Sequence, residues 1–344
     1  MTSAWQDFML ERGASVDAGV VRDFGDAKSE LHAARDGAVL APLTHLGLIR
    51  CSGEDAQAFL HGQLSNDVKQ LGPRRSEYAA YCSAKGRMLA NFLLWREDRD
   101  YLLQLERSLL PAVQKRLGMF VLRAKVKLAD ASEARPVLGL AGAAAAAALK
   151  EIFPALPQQT HDVVRDPAKG TLIALPGARF QLVAEPESAK QLWNKLAAAL
   201  KPVGAPCWEW LEIRNGLPLI SSATQEQFVP QMANMELIGA VNFQKGCYPG
   251  QEIVARTQYL GQLKRRMVLA HVAGPGAPQA GDELFSRDLE GQASGMVLNV
   301  QAAPEGGYDL LAVAQTSSIA QGALHLRSAD GPLLQLQSLP YAIA

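Results

Sequence analysis

The residue types most able to do chemistry are concentrated between Lys245 and Arg256. This stretch holds two cations, a thiol and a carboxylate together with two glycines and a proline. The Pro249–Gly250 pair favours a type II turn, so the pattern predicts a turn that presents Cys247. Lys245 and Arg256 would lower the pKa of that thiol if they folded beside it, making it a nucleophile or a metal ligand. Free cysteine is also among the most buried residue types, so simple packing remains an alternative.

A second group of charges lies at Ser83–Arg87, where Lys85 and Arg87 flank Gly86. Two cations around a glycine suit an anionic ligand such as a carboxylate or phosphate, and they equally suit an exposed hairpin turn. Asn91 interrupts the apolar run that follows. Because a buried amide must be hydrogen-bonded, Asn91 either braces the core or faces a cavity.

Trp208 and Trp210 flank Glu209 in a segment, Trp208–Arg214, whose pattern does not separate helix from strand. In a strand the two indoles would share a face. A tryptophan can stack on a flat heteroaromatic ligand, although core packing is its commoner fate.

Other familiar motifs are missing from the sequence. The six histidines show no metal-ligand spacing, and no GxSxG, Walker A or GxGxxG pattern occurs. The four cysteines are scattered without a CxxC, so neither a disulfide framework nor a cysteine-only metal site within one chain is expected. Glu252 and Arg256 are four residues apart and, on a helix, would form an ordinary ion pair.

The size and charge of the chain limit the number of domains and the classes of protein to which it can belong. Its 344 residues suit two or three domains. Lys+Arg and Asp+Glu are 34 each, and the resulting net charge of zero argues against binding nucleic acid by bulk positive charge. We see no signal peptide at the N-terminus and no apolar run long enough to span a membrane. We therefore expect a protein of the reducing cytoplasm.

The apolar pattern predicts two related α+β units after two short helices at Asp7–Arg12 and Ala27–Arg35. Both units show the order strand, helix, three strands, helix, followed by a further segment. In the first, strands are predicted at Leu46–Cys51, Tyr78–Cys82, Arg87–Trp95, Tyr101–Leu105 and Leu122–Leu128, with helices after Asp55 and over Ser108–Phe120. In the second, strands are predicted at Val137–Leu140, Asp162–Arg165, Thr171–Leu175 and Arg179–Ala184, with helices over 143–152 and Ser188–Leu200. Beyond a boundary near 260, closely spaced turn signals predict a small all-β barrel or sandwich.

Lys245–Glu252 resembles the signature of the YgfZ family, which are folate-binding proteins related to the glycine-cleavage T-protein, an aminomethyltransferase. Further blocks match the family's pattern over nearly the whole chain. They are Gly62–Leu64 with Asp67, Ala84–Met88, Ile213–Pro218, and Gln227–Gln231 with Asn234. Several ordered blocks are much more specific than one octapeptide.

The resemblance implies a three-domain, ring-like α+β architecture with a C-terminal β-barrel and a central channel for tetrahydrofolate or a one-carbon derivative. We expect the domains to be 1–48 with 133–260, then 49–132, then 261–344. The resemblance also implies a role in assembling or maintaining iron–sulfur proteins, including enzymes that modify tRNA. Expected partners are folate and iron–sulfur client proteins or assembly factors. We expect no membrane partner, no direct nucleic-acid binding, no resident metal and a monomer.

The resemblance also assigns site residues. Trp208 falls where the family has a tryptophan against folate, whereas Leu46 falls near the second such position, so one stacking face is lost. Lys85 and Arg87 are candidates for the anionic tail of the ligand, and Asn91 with Trp208 for its ring system. The predicted folate-binding set is completed by Tyr248, Gln251, Glu252 and Asn234. The predicted reactive group is Cys247, with Lys245 and Arg256 tuning it.

Comparison with T-proteins separates two functions. T-proteins carry an acidic pair after the glycine turn, and the equivalent positions here look like Ala90 and Asn91. An amide cannot take up a proton as a carboxylate can, so aminomethyl transfer is disfavoured. We expect a folate-binding protein that supports iron–sulfur clusters through Cys247, sharing any cluster with a partner because one thiol cannot hold it. The alternatives are a folate-dependent aminomethyltransferase or demethylase, a folate-dependent RNA-modifying enzyme, and a protein whose channel is vestigial.

Overall fold

The N-terminal segment supplies a hairpin and a strand that joins a later sheet. The computed structural model describes residues 3–343 apart from 260, 262, 275 and 290, so residue 260, at the predicted boundary, lies outside the described residues. The segment folds as α1 (Ala4–Leu10), β1 (Ser15–Asp17), β2 (Val20–Asp23), α2 (Ala27–Asp36) and β3 (Val39–Pro42). Ser3 and Gln6 cap α1 reciprocally, which explains why the helix begins before the predicted Asp7. The β1–β2 hairpin was not predicted because its strands are too short to show a period.

The first unit is a five-stranded antiparallel sheet with two helices. It contains β4 (Leu46–Ser52), α3 (Ala56–Gln63), β5 (Ser76–Cys82), β6 (Met88–Glu97), β7 (Asp100–Glu106), α4 (Leu110–Gly118) and β8 (Lys127–Asp130). The strand order is β5-β6-β7-β4-β8. Strand β6 is buried along nearly its whole length, as predicted, because both of its faces are covered. Phe92 and Leu94 enter one hydrophobic core, whereas Leu93 and Trp95 enter another.

The end of the first unit differs from the prediction. Phe120 was expected to point inward, but 43% of it is exposed, and the strand predicted from Leu122 begins only at Lys127. The partner strand β4 ends at Ser52, which pairs with Lys127, so the residues before Lys127 have no neighbouring strand to complete a ladder. They form turns instead.

The second unit confirms the predicted repeat. It contains β9 (Val137–Ala141), α5 (Ala143–Lys150), β10 (Val163–Asp166), β11 (Gly170–Leu175), β12 (Arg179–Val183), α6 (Pro186–Leu196) and β13 (Lys201–Pro202). Its strand order is β10-β11-β12-β9-β3-β13, which is the order of the first sheet with β3 inserted before the last strand. The segment that the sequence left undecided is a helix, α7 (Ala205–Arg214), with Pro206 in its first turn.

The C-terminal part is a curled, six-stranded antiparallel half-barrel, in line with the predicted small β domain. It follows α8 (Gln251–Tyr259) and contains β14 (Arg265–Val272), β15 (Glu283–Phe285), β16 (Ala293–Ala302), β17 (Tyr308–Gln315), α9 (Thr316–Gln321), β18 (His325–Leu326) and β19 (Gln335–Gln337). Its strand order is β18-β15-β16-β17-β14-β19. The short helix α9 was not predicted. Among the described residues, no helix is both long and apolar enough to cross a bilayer.

Candidate functional site

A central cavity lies where the two sheets, α7 and the half-barrel meet. Its walls come from strands β4 to β7, from β11 and β12, from α7 and the segment after it, and from β16. The polar lining residues are His45, Tyr78, Asn91, Gln104, Gln181, Glu209, Glu212 and Asn299. The apolar ones include Leu46, Phe92, Leu93, Leu175, Ile213, Leu217, Pro218, Ile238 and Val300. An apolar pocket with a few convergent polar groups is the usual form of a small-molecule site.

Two carboxylates reach the cavity from α7. Glu209 and Glu212 are three residues apart and therefore share a helix face. Gln301 donates to Glu209 Oε2 at 2.7 Å, and burial raises the pKa of Glu209 to about 7. Glu212 accepts from the fully buried Arg179 at 2.7 Å, so its charge is compensated. Glu209 is thus the carboxyl whose protonation is free to change near neutral pH.

Two buried polar atoms in the wall have no hydrogen-bond partner within the described residues. They are His45 Nδ1 and Gln104 Nε2. Gln181 occupies only the other end of the Gln104 amide, donating to Oε1 at 2.7 Å. Burial lowers the pKa of His45 to about 3, so its ring is neutral. Unpaired buried polar atoms are costly, and both of these belong to residues that line the cavity.

Asn91 lines the cavity and holds the segment after α7 by two hydrogen bonds. Its Nδ2 donates to Pro218 O at 2.7 Å, and its Oδ1 accepts from Ile220 N at 2.8 Å. Both ends of the amide therefore hold the segment after α7. The sequence left open whether Asn91 braces the core or faces a cavity, and it does both. Leu46, which falls near the family's second tryptophan position, also lines the cavity.

Trp208 does not line the cavity, which corrects its predicted role as a stacking face. It is 1% exposed. One neighbour is Gly139, where a Cβ would lie 2.5 Å from the indole, and the guanidinium of Arg179 lies 4.8 Å from the ring centroid. Trp208 and Glu212 are four residues apart on α7, and both contact Arg179. The indole itself packs in the hydrophobic core beside the site.

The Cys247 region is a separate surface. Cys247 is exposed, whereas Cys51, Cys82 and Cys207 are buried. Burial raises the pKa of each of those three thiols to about 12. Of the four cysteines, only Cys247 is open to solvent and to a partner.

Lys245 is buried, and its side chain forms hydrogen bonds with backbone carbonyls. Its ammonium donates to the carbonyls of His61 and Leu64 at the C-terminal end of α3, where cations are favoured. It also lies 4.9 Å from the ring centroid of Tyr248. Burial lowers the pKa of Lys245 to about 8, against opposing effects of Asp67, Glu77 and Cys247. Lys245 is thus within electrostatic range of Cys247, and its predicted tuning of the thiol stays a prediction.

Two glycine turns dock on each other beside this thiol. Gly86 and Gly250 both have positive φ, at 70° and 81°. A Cβ on Gly250 would lie 2.6 Å from Gly86 Cα, so neither turn tolerates a side chain. Arg87 donates to the carbonyls of Glu226 and Gln227, and both it and Lys85 are exposed. The hairpin alternative for Ser83–Arg87 is thus observed, while its role toward an anion stays a prediction.

The remaining predicted residues lie outside the cavity wall. Glu252 and Arg256 are exposed on α8, and the described residues contain no ion pair between them. Gln251 begins the same helix, and Tyr248 is buried under Lys245. Asn234 is buried with φ at 56°, and its amide donates to Met267 O. It therefore ties the segment between α7 and α8 to β14, which corrects its assignment to the ligand.

The functional candidates that sequence reasoning missed are polar residues from distant segments. They are Glu209, Glu212, His45, Gln104, Gln181 and Asn299. The only available signal was the spacing of Glu209 and Glu212 at i and i+3 in a possible helix. No group of three or more potential metal-ligating side chains occurs in the described part of the chain.

The three sheets around a central cavity define the class of fold, that of the glycine-cleavage T-protein. Residues 20–163 match the family model for the GCVT N-terminal domain. The whole architecture matches the glycine cleavage system aminomethyltransferase T from Bartonella henselae, with a TM-score of 0.79 over 99% of this chain and 97% of that chain. Sequence identity is 18%, so this likeness shows the fold alone. A chain of heterotetrameric sarcosine oxidase from Corynebacterium sp. U-96, in complex with pyrrole 2-carboxylate, covers 50% of this chain and 90% of its own at 19% identity, but its TM-score of 0.35 carries no weight.

Proposed function

We propose that this protein binds tetrahydrofolate or a one-carbon derivative in the central cavity without transferring aminomethyl groups. The observation that carries the proposal is the set of unpaired polar atoms in the cavity wall, His45 Nδ1 and Gln104 Nε2. A pterin ring is flat and has donors and acceptors along its edge, so it suits such a wall. The T-protein-type fold supports the same ligand class.

We expect the cavity residues to contact the ring of the ligand. Gln104 Nε2 would donate to a ring acceptor. Glu209, whose pKa of about 7 leaves it able to donate or accept, would meet an amino or amide edge. The ligand would supply the one-carbon chemistry. The exposed Lys85 and Arg87 remain candidates for a tail that leaves the cavity.

Asn91 argues against transfer. A carboxylate at this position could hold a proton during the reaction, but the amide is committed to backbone groups on both sides. Replacing Asn91 by Asp would set a carboxylate against Pro218 O. If the wild type releases methylenetetrahydrofolate from an aminomethyl donor at a useful rate, and Asn91→Asp does not improve it, the protein is a transferase and the proposal is wrong.

The decisive measurement is calorimetric titration with tetrahydrofolate. We expect saturable binding to the wild type, weakened about tenfold in Glu209→Gln because one hydrogen bond from a carboxyl group is lost. Glu54→Gln, on the exposed surface, is the matched control and should bind like the wild type. Absence of binding to correctly folded wild type would refute the folate proposal and leave a vestigial channel.

We further propose that Cys247 serves iron–sulfur proteins by thiol exchange or transient ligation. The exposure of Cys247, when the other three cysteines are buried, supports this role. A single thiol cannot hold a cluster, so a client or assembly factor would complete the ligand set. In a strain lacking its own family member, Cys247→Ser should fail to rescue iron–sulfur enzymes while Cys207→Ser succeeds. Equal rescue by both variants would refute a role for the Cys247 thiol.

A further inference from the structure

An exposed apolar tip lies between α4 and β8. Of Met119, Phe120 and Leu122, 58%, 43% and 87% are exposed. The surrounding segment from Lys115 to Lys127 contains five cations and no acid, in a chain with no net charge. Large apolar side chains in water, next to a cluster of cations, mark an interaction surface.

The backbone makes Leu122 more unusual. Its φ is 47°, in the left-handed region where glycine and asparagine are favoured and a leucine is strained. Leu122 therefore carries two free-energy costs, one for exposing an apolar side chain and one for its left-handed backbone conformation. A position that breaks two local rules without compensation in the fold is expected to serve function.

The cations of this segment are available to a partner. Within the described residues, Lys115, Arg123 and Lys127 make no ion pair, and all three are exposed. Lys125 is different because it pairs with Glu54 at 2.7 Å. Lys115 and Lys127 also border an open groove whose apolar floor includes Val121 and Leu128. Apolar and cationic groups therefore lie side by side on one surface.

We propose that this tip docks on an anionic lipid surface, with Met119, Phe120 and Leu122 entering the boundary between headgroups and acyl chains. The three unpaired cations would meet the lipid phosphates. This contact is peripheral, so it is compatible with the absence of a spanning helix among the described residues, but it replaces the expectation of no membrane partner. It does not depend on the folate proposal.

The local structure favours lipid over other occupants. The amides of Met119, Phe120, Val121 and Ala124 donate to carbonyls three residues earlier, so these donors need no water in an apolar interface. Nucleic acid would engage the cations, but it offers no apolar environment for Leu122 or Met119. An acidic protein would meet the charges and is an alternative outcome of the test.

The test is cosedimentation of the full chain with vesicles of two parts phosphatidylcholine to one part phosphatidylglycerol. We expect binding to these vesicles, none to phosphatidylcholine alone, and weakening as salt rises. Leu122→Asn should lower the partition coefficient about tenfold, whereas Leu333→Asn, at an exposed leucine elsewhere, should not change it. Lys127→Gln should lower it about fivefold, with Lys195→Gln unchanged.

The variants also separate docking from folding. Asparagine tolerates the left-handed conformation, so Leu122→Asn should keep or raise the melting temperature while docking is lost. Failure of the wild type to bind phosphatidylglycerol vesicles at low salt would overturn the proposal and leave an acidic protein as the occupant. Binding that is insensitive to Leu122→Asn would overturn it equally.

Discussion

The central cavity and the Cys247 region are built in opposite ways. The cavity draws its polar residues from both sheets, α7 and the half-barrel, and leaves buried polar atoms unpaired. The Cys247 region is made largely from one contiguous turn and satisfies its buried cation with backbone carbonyls. The first arrangement encloses a cavity that can hold a ligand, whereas the second presents a thiol outward. The difference indicates two separate tasks, small-molecule binding inside and contact with a partner outside.

The largest expected effect is the loss of stability when the buried Lys245 of the Cys247 region is replaced. Lys245→Met would leave the carbonyls of His61 and Leu64 buried without a donor, and we expect it to lower the free energy of unfolding by about 3 kcal/mol. Lys85→Met, at an exposed lysine nearby, should change it by less than about 0.5 kcal/mol. Urea unfolding of both variants measures this. Equal stabilities would mean that the Lys245 ammonium is not what holds the turn.

The second effect concerns the docked glycine turns. Gly250→Ala would place a Cβ 2.4 Å from Ser83 O at a φ of 81°, and should cost about 2 kcal/mol. Gly246→Ala is the matched control because its Cβ would meet only His61 Nε2, at 3.5 Å. Ligand binding in the cavity should survive both changes if the two regions are independent. A loss of tetrahydrofolate binding in Gly250→Ala alone would show that they are coupled.

The third effect compares two half-buried carboxyls, Glu209 in the cavity wall and Glu77, whose charge acts on Lys245 of the Cys247 region. Burial raises the pKa of Glu209 and of Glu77 to about 7. The native state therefore binds more protons than the unfolded state between pH 4.5 and 7, so stability falls as pH rises through that window. Glu209→Gln and Glu77→Gln should each reduce this fall, by on the order of 1–2 kcal/mol. Only Glu209→Gln should also change ligand affinity, and unfolding followed from pH 4 to 8 together with calorimetry checks both parts.

The smallest effect is on stability at Cys247 itself. Cys247→Ser should change the free energy of unfolding by less than about 0.5 kcal/mol because the side chain is exposed. The same variant should abolish rapid modification by a thiol reagent in the native protein, since the other three cysteines are buried. Rapid modification that persists in Cys247→Ser would mean that a buried thiol opens readily.

The sequence predicted more of the fold than of the cavity, for a physical reason. The repeat of strand, helix, three strands and helix is local, and periodicity along the chain reveals it. The cavity joins residues such as Gln104 and Gln181, which meet only through the packing of two sheets. The role of Trp208 was not predicted correctly because its partners, Gly139 and Arg179, lie on strands β9 and β12, which only the folded sheet brings to α7. Cys247 could be identified as a candidate because the residues that form its turn are adjacent in the sequence.

The position of strand β3 in the second sheet affects the order in which the two units can fold during synthesis. The first sheet is encoded within residues 46–130, so all of its strands leave the ribosome consecutively. The second sheet places β3, from residues 39–42, between β9 and β13, which ends at Pro202. That early strand must wait unpaired while the whole first unit is synthesised. We therefore expect the first unit to fold co-translationally and the second sheet to be completed late. Until then the nascent chain exposes an unpaired strand edge, which chaperones can bind.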